Sequence, residues 1–315
     1  MNNQMLTAGE ATVLNGLMPG NMNIGVGSKL KQALAAAFFK PGTTWYVNSA
    51  MSVSGDGLSW ATAKKTIAEA VSAAASGDTL LMKGTFTEAV ACAKSLSFIG
   101  VGPTVDNCVW MESAAGQTLL TLTGTDCYIR GIRFRVPTTA GIAIDMVNSD
   151  YTVIEGNYFQ GRTGSYYAIY AAGGAACKII NNNFAYLNTD TFGCGILGKS
   201  TTVMPAGWEI AFNTFHSNLR HIMASIRQSF VHDNMFQEVG LKPDNTALTA
   251  TVKLDIYGEI AGSQYNTVTR NMFFGTYSIS AGYKPGTSDN WYGNKSNYIS
   301  QTGVTAEGTT TAVPA

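Results

Sequence analysis

A short motif recurs along this chain, and its spacing limits the folds that the chain can adopt. In each copy an asparagine comes two residues before a phenylalanine. The copies are Asn157-Tyr158-Phe159, Asn182-Asn183-Phe184, Asn213-Thr214-Phe215, Asn234-Met235-Phe236 and Asn271-Met272-Phe273. Successive phenylalanines are separated by 21 to 37 residues. Repeats of this length indicate a solenoid, in which each repeat stacks on its neighbours.

Each motif lies between stretches that have the pattern of β-strands. Residues 152–155, 177–180 and 208–211 alternate apolar and polar side chains just before a motif, and β-branched residues are common among them. Further short strands are predicted within 141–144, 167–170, 195–197, 222–224 and 252–256. No helical pattern separates these strands, so parallel strands can only stack coil upon coil. The repeats therefore predict an all-β solenoid.

The repeated asparagine and phenylalanine have predicted structural roles. Asparagine tolerates left-handed backbone angles, which suits a bend, and its amide can bond to an equivalent about 4.8 Å away in the next coil. Phenylalanine after the bend would point inward and stack on its equivalents. We therefore assign the ladder, and no chemistry, to Asn157, Asn183, Asn213, Asn234 and Asn271.

Composition excludes several function classes. Charged residues make up 13% of the 315 residues and the net charge is zero, which disfavours a nucleic-acid partner. The five cysteines form no CxxC pair, so we predict buried free thiols, no metal ion and no cofactor. No apolar run reaches 18 residues, and the N-terminus lacks the pattern of a signal peptide. We therefore expect synthesis in a cytoplasm and no membrane insertion.

Residues 45–88 carry the most specific pattern in the chain. Its parts are the strand Trp45-Tyr46-Val47, the turn Gly55-Asp56-Gly57-Leu58-Ser59-Trp60-Ala61-Thr62-Ala63, a helical stretch at 65–75, Gly77-Asp78-Thr79 and Gly84-Thr85-Phe86-Thr87-Glu88. This order resembles the start of the pectate-lyase-like right-handed parallel β-helix proteins. The resemblance implies a right-handed, single-stranded parallel β-helix whose early helix caps the N-terminal end.

The chain divides into four predicted parts. Residues 1–40 contain two short helix candidates with apolar residues and are predicted to be an N-terminal docking or adaptor segment. Residues 41–88 begin and cap the β-helix, and residues 89–299 form its body. Residues 288–294 are predicted to be a last rung, in which Trp291 and Tyr292 replace phenylalanine. Residues 300–315 lack a core pattern and are predicted to be a tail.

Catalytic residues are harder to assign. The resemblance implies that polysaccharide lyases and glycoside hydrolases share the fold, and hydrolysis uses two carboxyl groups about 5–10 Å apart. The carboxylates on neighbouring coils are Asp145, Asp150, Glu155, Glu209, Asp233, Glu238, Asp255 and Glu259. Among these, Glu209 and Asp233 are the named catalytic candidates, because each is close to a predicted strand. The polar residues His216, Arg220, His221 and His232 are predicted to face outward.

Three function classes remain. The first is a non-enzymatic component of a bacteriophage virion, such as a tail spike, a fibre or a head-decoration protein, which we favour because the sharper site motifs of the enzymes are absent. It would be a homotrimer, dock on other virion proteins through residues 1–40, and take host cell-surface polysaccharide as a further candidate partner. Tyrosines predicted to be exposed, at 166, 167, 186 and 277, support the trimer. The alternative is a polysaccharide-degrading enzyme, and a bacterial surface adhesin is third.

Overall fold

A computed structural model describes most of the predicted β-helix. The described residues are 42–147, 149–162, 164–187, 193–198, 205–218, 220–237, 254–255, 265–274, 283–284 and 289–296. From Thr43 onward they belong to one compact unit. The predictions on residues 1–40, on the tail and on Glu238, Glu259 and Tyr277 lie outside the described residues.

Three parallel sheets wind along this unit. Sheet A contains β1 (Thr44–Asn48), β2 (Thr79–Phe86), β4 (Ser97–Gly100), β7 (Tyr128–Arg130), β10 (Val153–Glu155), β13 (Lys178–Ile180), β16 (Glu209–Ala211), β19 (Phe230–His232), β22 (Thr267–Thr269) and β25 (Asn290–Tyr292). Sheet B contains the end of β2, then β5 (Cys108–Met111), β8 (Arg133–Arg135), β11 (Tyr158–Gln160), β14 (Asn183–Ala185), β17 (Thr214–His216), β20 (Met235–Gln237), β23 (Met272–Phe274) and β26 (Lys295–Ser296). Sheet C contains β3 (Val90–Cys92), β6 (Thr118–Leu122), β9 (Ile142–Met146), β12 (Tyr167–Ala171), β15 (Cys194–Gly198), β18 (Arg220–Ala224), β21 (Leu254–Asp255) and β24 (Tyr283–Lys284). Every pairing between named strands is parallel, so the chain passes through A, B and C once in each coil.

The phenylalanines form the predicted stack in the interior. Phe134, Phe159, Phe184, Phe215 and Phe236 are fully buried, and neighbouring ring centroids lie 4.7 to 5.1 Å apart. The planes of the Phe159 and Phe184 rings differ by only 4°. Each phenylalanine occupies the centre of a sheet B strand of its own, where the sequence predicted only a bend. Each coil therefore has three strands instead of two.

The asparagine ladder is present, with two corrections. Asn182, and not Asn183, belongs to it: Asn182 Nδ2 donates to the Ile154 carbonyl at 2.8 Å, and its Oδ1 accepts from the backbone N–H of Asn157 at 2.9 Å. The asparagines also do not supply the left-handed angle. The residue before each one has the positive φ, as at Asn181 (56°) and Phe212 (57°). Asparagine is required because its amide satisfies backbone groups in adjacent coils.

The last described coil differs from its prediction. Trp291 pairs with Val268 in sheet A, so it occupies the inward position of that sheet rather than the phenylalanine position. The ladder residue in this coil is Asn294, whose Oδ1 accepts from the Asn271 backbone at 3.0 Å. Phe273 is followed in register by Ser296. The prediction that Trp291 and Tyr292 take the phenylalanine position is therefore wrong.

A short helix, α1 (Ile67–Ala73), lies at the start of the fold and is bound at both ends. Thr66 and Glu69 form a capping box at its N-terminus, where Glu88 also accepts from the Ile67 and Ala68 N–H groups at 2.8 and 2.9 Å. At the other end, Lys94 Nζ donates to three carbonyls of residues 71, 72 and 74, at 2.6 to 3.1 Å. Thr66, Glu69 and Glu88 of the N-terminal sequence pattern therefore have a structural role, because they bind the N-terminal end of α1.

Two further predictions can be compared with the structure. All five cysteines are free and buried, as predicted. Tyr166, Tyr167 and Tyr186, which were predicted to be exposed, are half-buried. Within the described ranges, no helix has the length and apolar character needed to span a membrane.

Candidate functional site

The two carboxylates singled out by the sequence meet on the outer face of sheet A. Glu209 lies on β16 and Asp233 follows β19 in the next coil. His232 lies between them, with Nε2 3.3 Å from Glu209 Oε1 and Nδ1 2.7 Å from Asp233 Oδ2. A carboxylate only accepts hydrogen bonds, and a neutral imidazole has one N–H, which can donate to one of the two carboxylates at a time.

Two cations extend this arrangement along the sheet. Lys178 Nζ lies 2.7 Å from Glu209 Oε2. Arg270 makes a bidentate contact to Asp233, with Nη2 2.7 Å from Oδ2 and Nε 3.0 Å from Oδ1. We name the five residues Lys178, Glu209, His232, Asp233 and Arg270 the charged row. The hydrogen bond from Lys178 lowers the pKa of Glu209, and the hydrogen bond from Arg270 lowers the pKa of Asp233. Both carboxylates are therefore ionised at neutral pH.

Aromatic rings enclose the centre of the charged row. The Phe230 ring centroid lies 3.9 Å from that of His232, and the Phe212 ring meets His232 edge-on at 5.5 Å. His232 is therefore only 5% exposed although it faces outward. Phe212 itself is 54% exposed. The row thus combines fixed charges with an accessible aromatic ring.

The other two histidines do not join the row. His221 points into the interior, where it packs against the rings of Phe215 and Phe236 and its Nδ1 contacts Asn218 Nδ2 at 3.2 Å. This placement contradicts the predicted outward position. Burial lowers the pKa of His221 well below its ordinary value, so its ring is neutral. His216 lies on sheet B beside Tyr186. The three histidines therefore do not form one cluster.

A second candidate position, which the sequence included only in its general set of carboxylates, lies on sheet C. Asp145 of β9 is in register with Thr121 and Tyr170. Its Oδ1 is shielded from solvent and has no hydrogen-bond partner, and burial raises its pKa. Tyr167 lies 6.0 Å from Tyr170, ring to ring, so aromatic side chains line this face. The sequence signal was an acidic residue inside an apolar strand, at Ile142-Ala143-Ile144-Asp145-Met146.

Other carboxylates and cavities offer less chemistry. Asp150 accepts from the Ala175 N–H at 2.7 Å and Glu155 accepts from the Tyr128 hydroxyl at 2.6 Å, which are structural contacts. An open cavity of about 510 Å³ is lined by residues 99–105 with Arg130 and Gly131, and none of these is acidic. Among the described residues, no group of three or more His, Cys, Asp or Glu side chains is arranged to hold a metal ion.

The architecture is shared with solved structures at low sequence identity. Pectate lyase Pel9A superposes with a TM-score of 0.52 at 16% identity, over 78% of this chain and 73% of the lyase. This chain has the right-handed parallel β-helix fold. The alginate lyase from Paenibacillus sp. str. FPU-7 gives a TM-score of 0.49 at 13% identity, over 81% and 95% of the two chains. ORF18 of Geobacillus virus E2 gives 0.42 at 10% identity, and this chain spans about half of it, 54%.

The likeness to Pel9A confirms the predicted fold and leaves the role to be argued from the residues. No protein-family model and no curated protein matches the chain. A shared fold does not by itself separate a polysaccharide-degrading enzyme from a phage structural protein, because unrelated functions occur on one fold.

Proposed function

We propose that this chain is a structural component of a bacteriophage particle, and that the outer face of its β-helix binds a host-surface polysaccharide without cleaving it. We infer from the ionised state of the two carboxylates in the charged row that the polysaccharide is not cleaved. Hydrolysis needs one carboxyl group that holds a proton at working pH. Glu209 and Asp233 are instead ionised and engaged by Lys178 and Arg270.

Exposed aromatic residues support the binding role. Tyr151, Phe212 and Tyr265 are 54% to 59% exposed, and each has a positive φ, which is rare for a bulky side chain. Equivalent turns in other coils use Gly156, Asn181 or Gly207, so folding alone does not call for a large ring at these positions. Exposed rings of this kind mark contact surfaces, and an aromatic face suits the apolar faces of sugar rings.

A binding experiment tests this function. Bacterial capsular and O-antigen polysaccharides, presented on an array, should bind the purified protein and release no reducing ends or unsaturated products. Phe212→Ala should weaken binding by about tenfold, since one buried ring contributes about 1.4 kcal/mol. Leu58→Ala is the matched control, because Leu58 is also exposed, at 56%, but lies far earlier in the chain. Equal binding by both variants would contradict the assignment of this surface.

The virion setting has its own measurement. A spike or fibre built from this chain should be a homotrimer, because exposed apolar side chains such as Val53 and Met272 need covering. Light scattering coupled to gel filtration should give three times the mass of the 33.4 kDa chain. A monomer at micromolar concentration would count against the spike.

The alternative, a polysaccharide-degrading enzyme, is favoured by one observation, the raised pKa of Asp145. A carboxyl group whose pKa is raised by burial beside aromatic residues has the character of a general acid. If the array instead shows released sugar, Asp145→Asn should reduce turnover by about a hundredfold or more. Glu155→Gln is the control, because the Glu155 carboxylate is engaged by Tyr128.

A further inference from the structure

Two cysteine thiols meet at one carbonyl oxygen near the capped end of the β-helix. Cys92 Sγ lies 3.2 Å from the Lys94 carbonyl oxygen and Cys127 Sγ lies 3.4 Å from the same atom. Both residues are 1% exposed. Because both sulfur atoms contact the same oxygen atom, they lie close to each other in one buried site.

Backbone contacts hold the turn before Cys127 close to Cys92. The Cys92 carbonyl accepts from the N–H groups of Thr123 and Gly124, at 2.9 and 3.2 Å, which places the turn before Cys127 against Cys92. There is no room for a side chain at Gly124, because a Cβ atom there would lie 2.6 Å from the Lys94 oxygen. The close approach of Gly124 to Lys94 brings the turn before Cys127 against the turn that follows Cys92.

The remaining thiols do not share this arrangement. Cys177 donates to the Ser149 carbonyl at 3.0 Å, and burial raises the pKa values of both Cys108 and Cys177 to about 12. In contrast, a hydrogen bond from the Cys127 thiol lowers the pKa of Cys92. A thiolate is the reactive form in disulfide exchange, so Cys92 is the thiol of the pair prepared to attack.

We propose that Cys92 and Cys127 form a reversible disulfide bond when the folded protein meets a low-molecular-weight disulfide such as oxidised glutathione. The Cys92 thiolate attacks one glutathione sulfur and releases a glutathione thiolate. Cys127, whose pKa the contact with Cys92 raises in the reduced protein, then gives up its proton as its sulfur attacks the Cys92 sulfur of the mixed disulfide, and the second glutathione leaves as a thiol. The protein loses two electrons and two hydrogens, and two molecules of reduced glutathione carry them away.

The bond would strengthen the end of the fold that the cap protects. Lys94, whose carbonyl lies between the sulfurs, is also the residue whose ammonium group binds the C-terminal carbonyls of α1. The bridge would join the coil that carries this cap to the next coil. Under the proposed function, the chain folds in a reducing cytoplasm and then enters an oxidising exterior, where the bond would close. The thiol chemistry itself does not depend on that function.

Incubation of the folded protein in glutathione buffers tests the proposal, because local openings of the fold expose buried thiols to the oxidant. Incubated in oxidised glutathione, the protein should retain three reactive thiols of its five after denaturation, with a mass lower by two hydrogens. A peptide map should show residues 92 and 127 linked. The oxidised protein should melt about 5 °C above the reduced one, since a bridge over a loop of this size restricts the unfolded chain.

Matched variants separate the bridge from general effects of losing a thiol. Cys108→Ala removes a buried thiol outside the pair, and it should keep the oxidation and the rise in melting temperature. Cys92→Ala should lose both. Five free thiols in the folded wild-type protein at every glutathione ratio would overturn the proposal, as would a peptide map that links other cysteines. Neither result depends on glycan binding, so failure here is distinguishable from failure of the proposed function.

Discussion

Asn182 and Asn183 are neighbours of the same residue type with different environments. Asn182 lies inside the turn and connects three coils through its amide, whereas Asn183 begins β14 and points away from the core. The Asn183 side-chain oxygen is shielded and has no hydrogen-bond partner. At the scale of one residue, the contribution of an asparagine to stability depends on whether its amide reaches backbone groups in the adjacent coils.

This contrast predicts a large loss of stability at one position and almost none at the other. Asn182→Ala should reduce the free energy of unfolding by about 3 kcal/mol, because it leaves buried backbone groups of two coils without partners. Asn183→Ala should be close to neutral, because it removes a side chain that gains no hydrogen bond through its oxygen. Denaturant unfolding of the two variants measures the difference, and similar losses would show that the ladder assignment is wrong.

His221 predicts a pH dependence. Its folded-state pKa lies well below the ordinary 6.5, so the unfolded chain binds a proton at a pH where the folded chain does not. Stability should therefore be unaffected above about pH 6.5 and should decrease as the pH falls below it, by at most about 1.4 kcal/mol per pH unit. His221→Gln should flatten the dependence of melting temperature on pH between 7 and 5. His216→Gln, at a half-buried site, should flatten it less, and an unchanged slope in His221→Gln would contradict this account.

Asp145 predicts the reverse dependence. The folded carboxyl group holds its proton to a higher pH than the unfolded one, whose ordinary pKa is 3.8. Stability should therefore fall as the pH rises from about 3.8 through the folded pKa. Asp145→Asn removes this penalty, so it should raise the melting temperature at pH 7 and leave it unchanged at pH 3. A variant that is less stable at pH 7 would show that the carboxylate has a structural partner.

At the scale of elements, α1 is too short to be stable alone. Seven residues gain their order from packing and from two long-range side chains, Glu88 and Lys94. Lys94→Met should therefore lower the free energy of unfolding by about 2 kcal/mol, since it leaves three carbonyls without their cation. Lys65→Met is the control, because Lys65 makes a single exposed contact of 3.4 Å. Equal stability of the two variants, measured by thermal unfolding, would remove the capping role of Lys94.

At the scale of the whole molecule, the described residues from Thr43 onward belong to one compact unit. Asp78 accepts from the Thr43 backbone and from the Trp45 indole, at 2.6 and 2.9 Å, so the start of β1 is bound within the β-helix. We therefore predict that a chain beginning at Pro41 remains soluble and retains its strand content by circular dichroism. It should fail to join its particle if residues 1–40 are the docking segment. An insoluble chain, or one that melts well below the full-length protein, would instead assign residues 1–40 to the cap.

Local pattern in the sequence was enough to predict the coils, the phenylalanine stack, a helix within 65–75 and the buried thiols, whereas the resemblance supplied the capping role of that helix. Each of these patterns depends on residues close in sequence, such as alternation over four positions, an Asn two residues before a Phe, or apolar residues at helical spacing. Glu209 and Asp233 were also selected from local pattern, and their catalytic role remains untested. Their connection through His232 could not be seen, because it depends on how coils of unequal length align.

The repeat length of the solenoid, and the alternation of side chains between core and surface, could be deduced from the sequence, because alternation follows from the geometry of a single strand. The folded structure was needed to show which Asn of a pair enters the ladder, where His221 points, and which thiols meet at the Lys94 carbonyl. Because the coils vary from 21 to 37 residues, the positions of the loops cannot be deduced from the repeat. Contacts between coils depend instead on the register of the sheets and on which side chains the neighbouring coils bury. Those are properties of the stacked chain and not of any one repeat.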